Sequence, residues 1–199
     1  PPPPPPPPFF FHAHAATRDA QESRGLGDVY KRQALSTVSE DGMPNVRMVL
    51  LKNIDQSAFV FFTNFGSQKA VEIFDCGKAS FVWHSKFLRR QIRVRGVTSL
   101  ESEQASDEYY KSRSLKSRLG AWASIQSKPL NSRKILLDRV EKFTESLGDD
   151  PARPKFWGGF RITPTEIEFW AEGEARLHDR FLWTKRDPAG QWSIERLFP

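Results

Sequence analysis

The segment EARLHDRF, residues 174 to 181, sets Arg176, His178 and Arg180 at alternate positions, with Asp179 among them. On a helix, Arg176 and Arg180 would share a face and His178 would point away. On a strand, where side chains alternate, all three project from one side. Such a face repels itself unless something anionic sits against it. A second group lies in YYKSRSLKS, where Tyr109, Arg113 and Ser117 recur four apart. If one helix runs through them they converge on a point, and a phenol, a guanidinium and a hydroxyl can all donate to phosphate oxygens. The same spacing equally fits a solvated helix face with a tyrosine lying over it.

Other polar residues are weaker signals taken one at a time. Arg47 opens and Lys52 closes the apolar run NVRMVLLK, as solvated strand ends do. In RQIRVRG, Gln91, Arg93 and Arg95 alternate with Ile92 and Val94, the pattern of a half-buried strand. Gln126 and Ser127 follow Trp122 in GAWASIQS and could bond the polar edge of a planar ring, whereas Trp170 in IEFW reads on its own as a core residue.

Several chemistries are missing from the sequence. It contains neither G-x-G-x-x-G nor G-x-x-x-x-G-K-[ST], and no G-x-S-x-G elbow. The histidines are His12, His14, His84 and His178, with no H-x-x-x-H or C-x-x-C pair to hold a structural zinc. Cys76 is the one cysteine; it allows no intrachain disulfide, fits a reducing compartment such as the cytoplasm, and is expected to be buried packing. The net charge of +6 comes from basic residues scattered at strand and helix spacings, which favours small anionic ligands over polynucleotides. No apolar run approaches the length of a membrane span.

The elements that must position these residues can be read in order. Residues 1 to 33 begin with eight prolines and show no sustained period, so they are expected to form a tail outside the fold; RGLGDVYKRQ resembles translated adaptor sequence. The folded domain is expected over residues 34 to 199. ALSTVS and NVRMVLLK are strands joined by a turn at Asp41-Gly42, and AFVFFT is a third strand. SQKAVEIFDC is a helix capped by Ser67, with Ala70, Val71, Ile73 and Phe74 at helical spacing. ASFVWHS and RQIRVRGV are strands, and helices are expected from about 102 to 112 and 117 to 125. NSRKILLDRVEKFTESLG is the clearest helix: Asn131 caps it, Leu136, Val140, Phe143 and Leu147 form its stripe, and Gly148 ends it. FWGGFRIT, EIEFWAEG, RFLWTK and QWSIERL are further strands, the last two joined by a turn at DPAG. Strands at both ends with helices between them, and sixteen Phe with six Trp, point to a mainly β, antiparallel small barrel with helices packed outside.

The blocks RMVLLK, FFTNFGSQKA, RRQIRVRG, YYKSRSLKSRLGAWASIQS, FWGGFR, IEFWAEGEARLHDRF and WSIERLFP occur together, in order. From about Ala34 to the end, the chain closely resembles the pyridoxamine 5'-phosphate oxidase family. That resemblance implies an FMN-binding split β-barrel, working as a homodimer with FMN at the subunit interface. It implies oxidation of pyridoxamine 5'-phosphate and pyridoxine 5'-phosphate to pyridoxal 5'-phosphate, with O2 reduced to H2O2. By resemblance, Arg47 and Lys69 bind the FMN phosphate. Thr63, Gln91, Gln126, Ser127, Trp170 and Arg180 contact the rest of the cofactor. The run Arg47, Met48, Val49, Leu50, Leu51 and Lys52 and the pair Phe62-Thr63 add main-chain contacts. Lys52, Tyr109, Arg113 and Ser117 match the substrate-phosphate clamp, and Arg176 and His178 the catalytic pair that holds the substrate ring over the flavin.

Two departures stand out. Gln68 also falls among the cofactor positions, where the family usually has Arg, so one charged phosphate contact is lost. The family's N-terminal arm is not recognisable before ALSTVS, so the first strand is expected to be cut short. The alternative reading is a non-catalytic split-barrel protein that binds FMN or pyridoxal phosphate.

Overall fold

The computed structural model describes residues 32–55, 57–186 and 190–199. The tail at 1–31 and most of the DPAG turn lie outside the described residues. The chain runs β1 (Arg32–Val38), β2 (Pro44–Ile54), β3 (Phe59–Asn64), α1 (Gln68–Cys76), β4 (Lys78–Ser85), β5 (Arg90–Leu100), α2 (Glu103–Ser112), α3 (Leu115–Ala123), α4 (Arg133–Leu147), β6 (Trp157–Ala171), a 3-10 turn (Glu174–Arg176), β7 (Asp179–Thr184) and β8 (Ser193–Leu197).

The strands are antiparallel in the order β3-β2-β1-β4-β5-β6-β7-β8, and β3 also pairs with β6. That extra pairing closes six strands into a barrel and leaves β7 and β8 as a ribbon carried by β6. Closure removes the free edges that an open sheet would expose. Leu35, Leu51, Phe61, Phe81, Val94, Phe160 and Ile162 fill the interior, with Ile73 of α1 packed against them. The alternation of inward apolar and outward polar residues in these strands is what selects the register.

β1 begins at Arg32, two residues before the expected boundary, and pairs with β2 along its whole length, from Arg32↔Leu50 to Val38↔Pro44. Gln33 is buried and its Oε1 accepts the N–H of Leu51, 3.0 Å away.

FWGGFRIT and EIEFWAEG are one strand of 15 residues rather than two. Pro164 suggests a break, because it cannot donate to a ladder. It is accommodated opposite Gly96, where the β5–β6 register shifts. A Cβ on Gly96 would fall 2.2 Å from the carbonyl oxygen of Thr163, so only glycine lets the strands close there. β6 therefore has two jobs. Its first half, Trp157 to Ile162, pairs with β3 to shut the barrel, and its second half, from Glu166 to Ala171, pairs with β7.

The helices differ from expectation at their ends. α1 has Ser67 at its N-cap and Gly77, at φ +68°, at its C-cap. Its buried positions are Lys69, Ala70, Glu72 and Ile73, while Val71, Phe74 and Cys76 are exposed, so Cys76 is not buried packing. α3 starts two residues earlier than expected because Ser114 caps it. α4 is capped by Ser132, not Asn131: the Ser132 Oγ accepts from the N–H of Ile135 at 3.4 Å. The stripe of α4 is half-buried, with Phe143 packed against Trp122 of α3. In the linker before β6, Arg153 pairs with Glu103 and Asp107 of α2 and donates to the carbonyl of Trp157. This pins the start of β6 beneath α2.

Candidate active site

The expected site residues fall into three groups. The first is built where β2, β3 and the N-terminus of α1 meet. Ser67 opens α1 without using its side chain as a cap; its Oγ instead accepts from Lys69 Nζ at 3.0 Å. Thr63 Oγ1 accepts from the same ammonium at 3.2 Å and lies 3.4 Å from Gln126 Oε1, which joins Thr63, Lys69 and Gln126. Ser127 follows Gln126 at φ +69°. Lys69 is 9% exposed. Burial, with the neighbouring charge of Arg47, pushes its pKa down to about 8, against a smaller opposing pull from Glu72.

Glu72, one turn along α1, organises the other side of this group. Its carboxylate accepts from Thr37, from Asn45 Nδ2 at 3.1 Å, from Gln68 Nε2 at 3.1 Å and from Arg47 at 3.2 Å. Burial alone would raise its pKa. Hydrogen bonds from Thr37, Asn45 and Gln68, together with the charge of Arg47, outweigh burial and hold it below the ordinary value. Gln68 is thus engaged by a carboxylate. Along β2, Leu51 faces the core while Met48 and Lys52 are exposed.

The second group surrounds a cavity of about 450 Å3 lined by Leu50, Lys52, Tyr109, Arg113, Ser114 and Ser117. The four residues expected to clamp a phosphate all line it, though not from one helix. α2 stops at Ser112, Arg113 is extended at φ −78°, ψ 151°, and α3 restarts at Leu115. Ser114 Oγ caps α3 by accepting from the N–H of Ser117 at 3.3 Å and donates to Ser117 Oγ at 2.9 Å. The corner, rather than helical spacing, brings Arg113 and Ser117 to the same cavity as Tyr109. Tyr109 stacks on Phe62 at 4.2 Å, and Phe62 on Trp157 at 5.6 Å. The Arg113 guanidinium lies 4.9 Å from the Trp157 ring centre and Lys52 Nζ 5.6 Å from that of Tyr109. Burial draws the Arg113 pKa down, against the neighbouring Tyr109 and Tyr110. Its NH1 is buried without a hydrogen-bond partner among the described residues. An unsatisfied guanidinium N–H is costly, and an anion in the cavity would relieve it.

The third group sits on β5, β6 and the ribbon. Gln91 lies opposite Trp170, and Trp170 opposite Arg180. EARLHDRF is not a continuous strand: residues 174–176 form a 3-10 turn and β7 begins at Asp179. The face shared by Arg176, His178 and Arg180 does not form. Arg176 is exposed on the turn, whereas the His178 ring packs 4.6 Å from Trp170. His178 Nδ1 accepts from the N–H of Gly173 at 3.2 Å, which leaves its proton on Nε2. Arg180 Nε donates to Glu168 Oε1 at 2.9 Å, and Arg93 to Glu168 Oε2 at 2.9 Å. Asp179 pairs with Arg196 at 2.8 Å rather than with its neighbouring cations.

The first two groups adjoin through β2 and the Phe62-Thr63 pair. The third is carried by the second half of β6 and the strands beside it; from Gly158, opposite Thr63, Trp170 lies twelve residues further along β6, about 40 Å of strand. Residues that sequence reasoning missed include Ser67, Glu72, Trp157 and Glu168. Only Glu72 carried a local signal, four residues after Gln68 on a helix.

Residues 31–146 match the family model described as pyridoxamine 5'-phosphate oxidase, and residues 157–199 match the one described as the pyridoxine 5'-phosphate oxidase C-terminal dimerisation region. The pyridoxine/pyridoxamine 5'-phosphate oxidase of Roseobacter denitrificans is 61% identical over 166 residues, covering 83% of this chain and 83% of the relative. That of Cereibacter sphaeroides is 63% identical with the same coverage. Among solved structures, PhzG from Burkholderia lata, in complex with tetrahydrophenazine-1-carboxylic acid, has a TM-score of 0.84 at 30% identity, over 100% of this chain and 95% of that one. An FMN-binding protein from Nostoc punctiforme shares the fold, at a TM-score of 0.73 and 22% identity over 98% of each chain. With both family models matched in order along one closed barrel, the chain belongs to the pyridoxine/pyridoxamine 5'-phosphate oxidase family.

Proposed function

We propose that the chain is an FMN-dependent oxidase that converts pyridoxamine 5'-phosphate and pyridoxine 5'-phosphate to pyridoxal 5'-phosphate, with O2 reduced to H2O2, and that it works as a homodimer. The observation that carries this reading is the cavity at the corner between α2 and α3, where Lys52, Tyr109, Arg113 and Ser117 meet and a buried Arg113 N–H lacks a partner. That donor set suits a phosphate monoester.

The first group fits the phosphate of a flavin mononucleotide. Lys69 is a buried cation hydrogen-bonded to the hydroxyls of Thr63 and Ser67, with Arg47 close enough to lower its pKa, so an added anion is favoured. Arg47 and Lys69 would hold that phosphate, and Thr63, Gln126 and Ser127 would contact the rest of the cofactor. When bound, FMN supplies the acceptor for a hydride equivalent leaving the substrate's C4' and passes the electrons to O2.

The chain's own part is binding and orientation. Lys52, Tyr109, Arg113 and Ser117 anchor the substrate phosphate, and the stacked Tyr109, Phe62 and Trp157 rings form a rigid wall behind them. Arg176 and His178 hold the pyridine ring, His178 offering its Nε2 proton to an acceptor. Fixing the reacting carbon in this way can supply much of a rate enhancement. Gln91 on β5, Trp170 on β6 and Arg180 on β7 form a separate cluster that would contact the mononucleotide from the other copy of a homodimer. That arrangement agrees with the dimerisation region matched over β6 to β8.

The test is the visible absorption of the FMN-loaded protein mixed anaerobically with pyridoxine 5'-phosphate. Bleaching of the flavin band, with recovery in air, is the expected outcome. A flavin that binds but stays oxidised would sink the enzyme reading and leave a binding protein.

A further inference from the structure

The turn that carries Arg176 and His178 has an uncommon backbone. Ala175 lies at φ +51°, ψ +29° and Arg176 at φ +65°, two consecutive non-glycine residues in the left-handed region. There a Cβ crowds the following carbonyl, a conformation that residues with side chains rarely adopt. Residues 174 to 177 are all exposed, so side-chain packing does not compensate.

What holds the turn is its own closure. The N–H of Leu177 donates to the carbonyl of Glu174 at 2.9 Å, and that of His178 to Arg176 at 3.0 Å. The second bond spans Leu177 at φ −81°, ψ 72°, an inverse γ-turn. Gly173 completes the loop from the other side. Its N–H donates to His178 Nδ1, and a Cβ on it would fall 1.9 Å from the carbonyl oxygen of Leu177. The ends of the turn thus meet backbone to backbone, with the imidazole as the clasp and Trp170 beneath it.

Strain of this kind, held here by the turn's own backbone closure, concentrates where geometry matters. Glycine at position 175 would adopt this conformation without cost but would also leave it freely. Alanine has a small left-handed basin, so a chain forced into it has little room to wander. We infer that Gly173 and Ala175 are positioning residues: the closed left-handed turn they form fixes the directions from which Arg176 and His178 approach the substrate. This rests on the proposed oxidase reading.

The test compares the FMN-loaded wild type with A175G and with A175N, since asparagine tolerates the left-handed region. A175G is expected to raise Tm by about 2 °C, as relief of strain exceeds the added freedom of the unfolded chain. It is expected to lose about tenfold in kcat/KM for pyridoxine 5'-phosphate, most of it in kcat, with FMN affinity within about twofold of wild type. A175N is expected to keep the wild-type kcat/KM. An unchanged or lower Tm in A175G would show that the turn is not strained. An unchanged kcat/KM in A175G, or an equal loss in A175N, would show that its rigidity has no part in turnover. A wild type that fails to reduce its flavin would overturn the oxidase reading and this inference with it, whereas an active wild type with an equally active A175G overturns this inference alone.

Discussion

Replacing Glu72 by glutamine keeps the shape of the side chain and removes its charge, and the consequence can be worked from its surroundings. The carboxylate is 2% exposed and accepts from Thr37, Asn45, Gln68 and Arg47. Glutamine keeps one acceptor oxygen and turns the other into a donor, facing groups that are themselves donors. Breaking a fully buried ion pair costs about 3–5 kcal/mol. The Arg47 side chain is 20% exposed and can regain water, so a loss of about 2 kcal/mol is expected. With a urea m-value near ~2 kcal/mol/M, the midpoint of the cofactor-free protein should fall by about 1 M. The pH dependence supplies a second check. The folded pKa of Glu72 lies below its ordinary 4.5, so its contribution is fully present above 4.5 and is lost as pH falls through the folded value. Glutamine has no such proton, so the gap between the two proteins should narrow below pH 4.5. Urea unfolding at pH 7 and at decreasing pH measures both. A gap under about 0.5 kcal/mol at pH 7, or one that persists unchanged in acid, would refute the reasoning.

Lys69, with its pKa near 8, gives two opposite trends above that pH. The cofactor-free protein should gain stability between about 8 and 10.5, where the unfolded chain binds the extra proton, while FMN affinity should fall as the cation is lost; Lys69→Met should abolish both in denaturation and fluorescence titrations. Arg113→Lys, which loses the planar fork over Trp157, should raise KM for pyridoxine 5'-phosphate by about tenfold or more with little change in FMN affinity. An unchanged KM would remove Arg113 from the phosphate clamp.

Most strands were legible because alternation is a local signal, and so was the helix end at Gly148, whose positive φ suits glycine. The continuity of β6 was not, since Pro164 reads as a break until Gly96 and the register shift are seen across from it. The break near Arg113 was expected from the separate helices read at 102–112 and 117–125, yet the four-residue spacing of Tyr109, Arg113 and Ser117 also fitted one continuous helix. The candidate site was legible through its family blocks. The carboxylates behind it were not: Glu72 of α1 meets Arg47 of β2, and Glu168 of β6 meets Arg93 of β5, between elements far apart in sequence, where local periodicity carries no information.

The long strand β6 has a genetic consequence. In a two-fold pair each proposed pocket draws one end from one copy and the far end from the other, so each pocket depends on both chains. Variants disabled at opposite ends, Arg47→Ala and Arg180→Ala, would each be poor alone. Mixed in one dimer, they leave one pocket carrying both lesions and the other carrying neither. Two defective parents should therefore yield a working hybrid when refolded together, whereas two lesions from the same end should not.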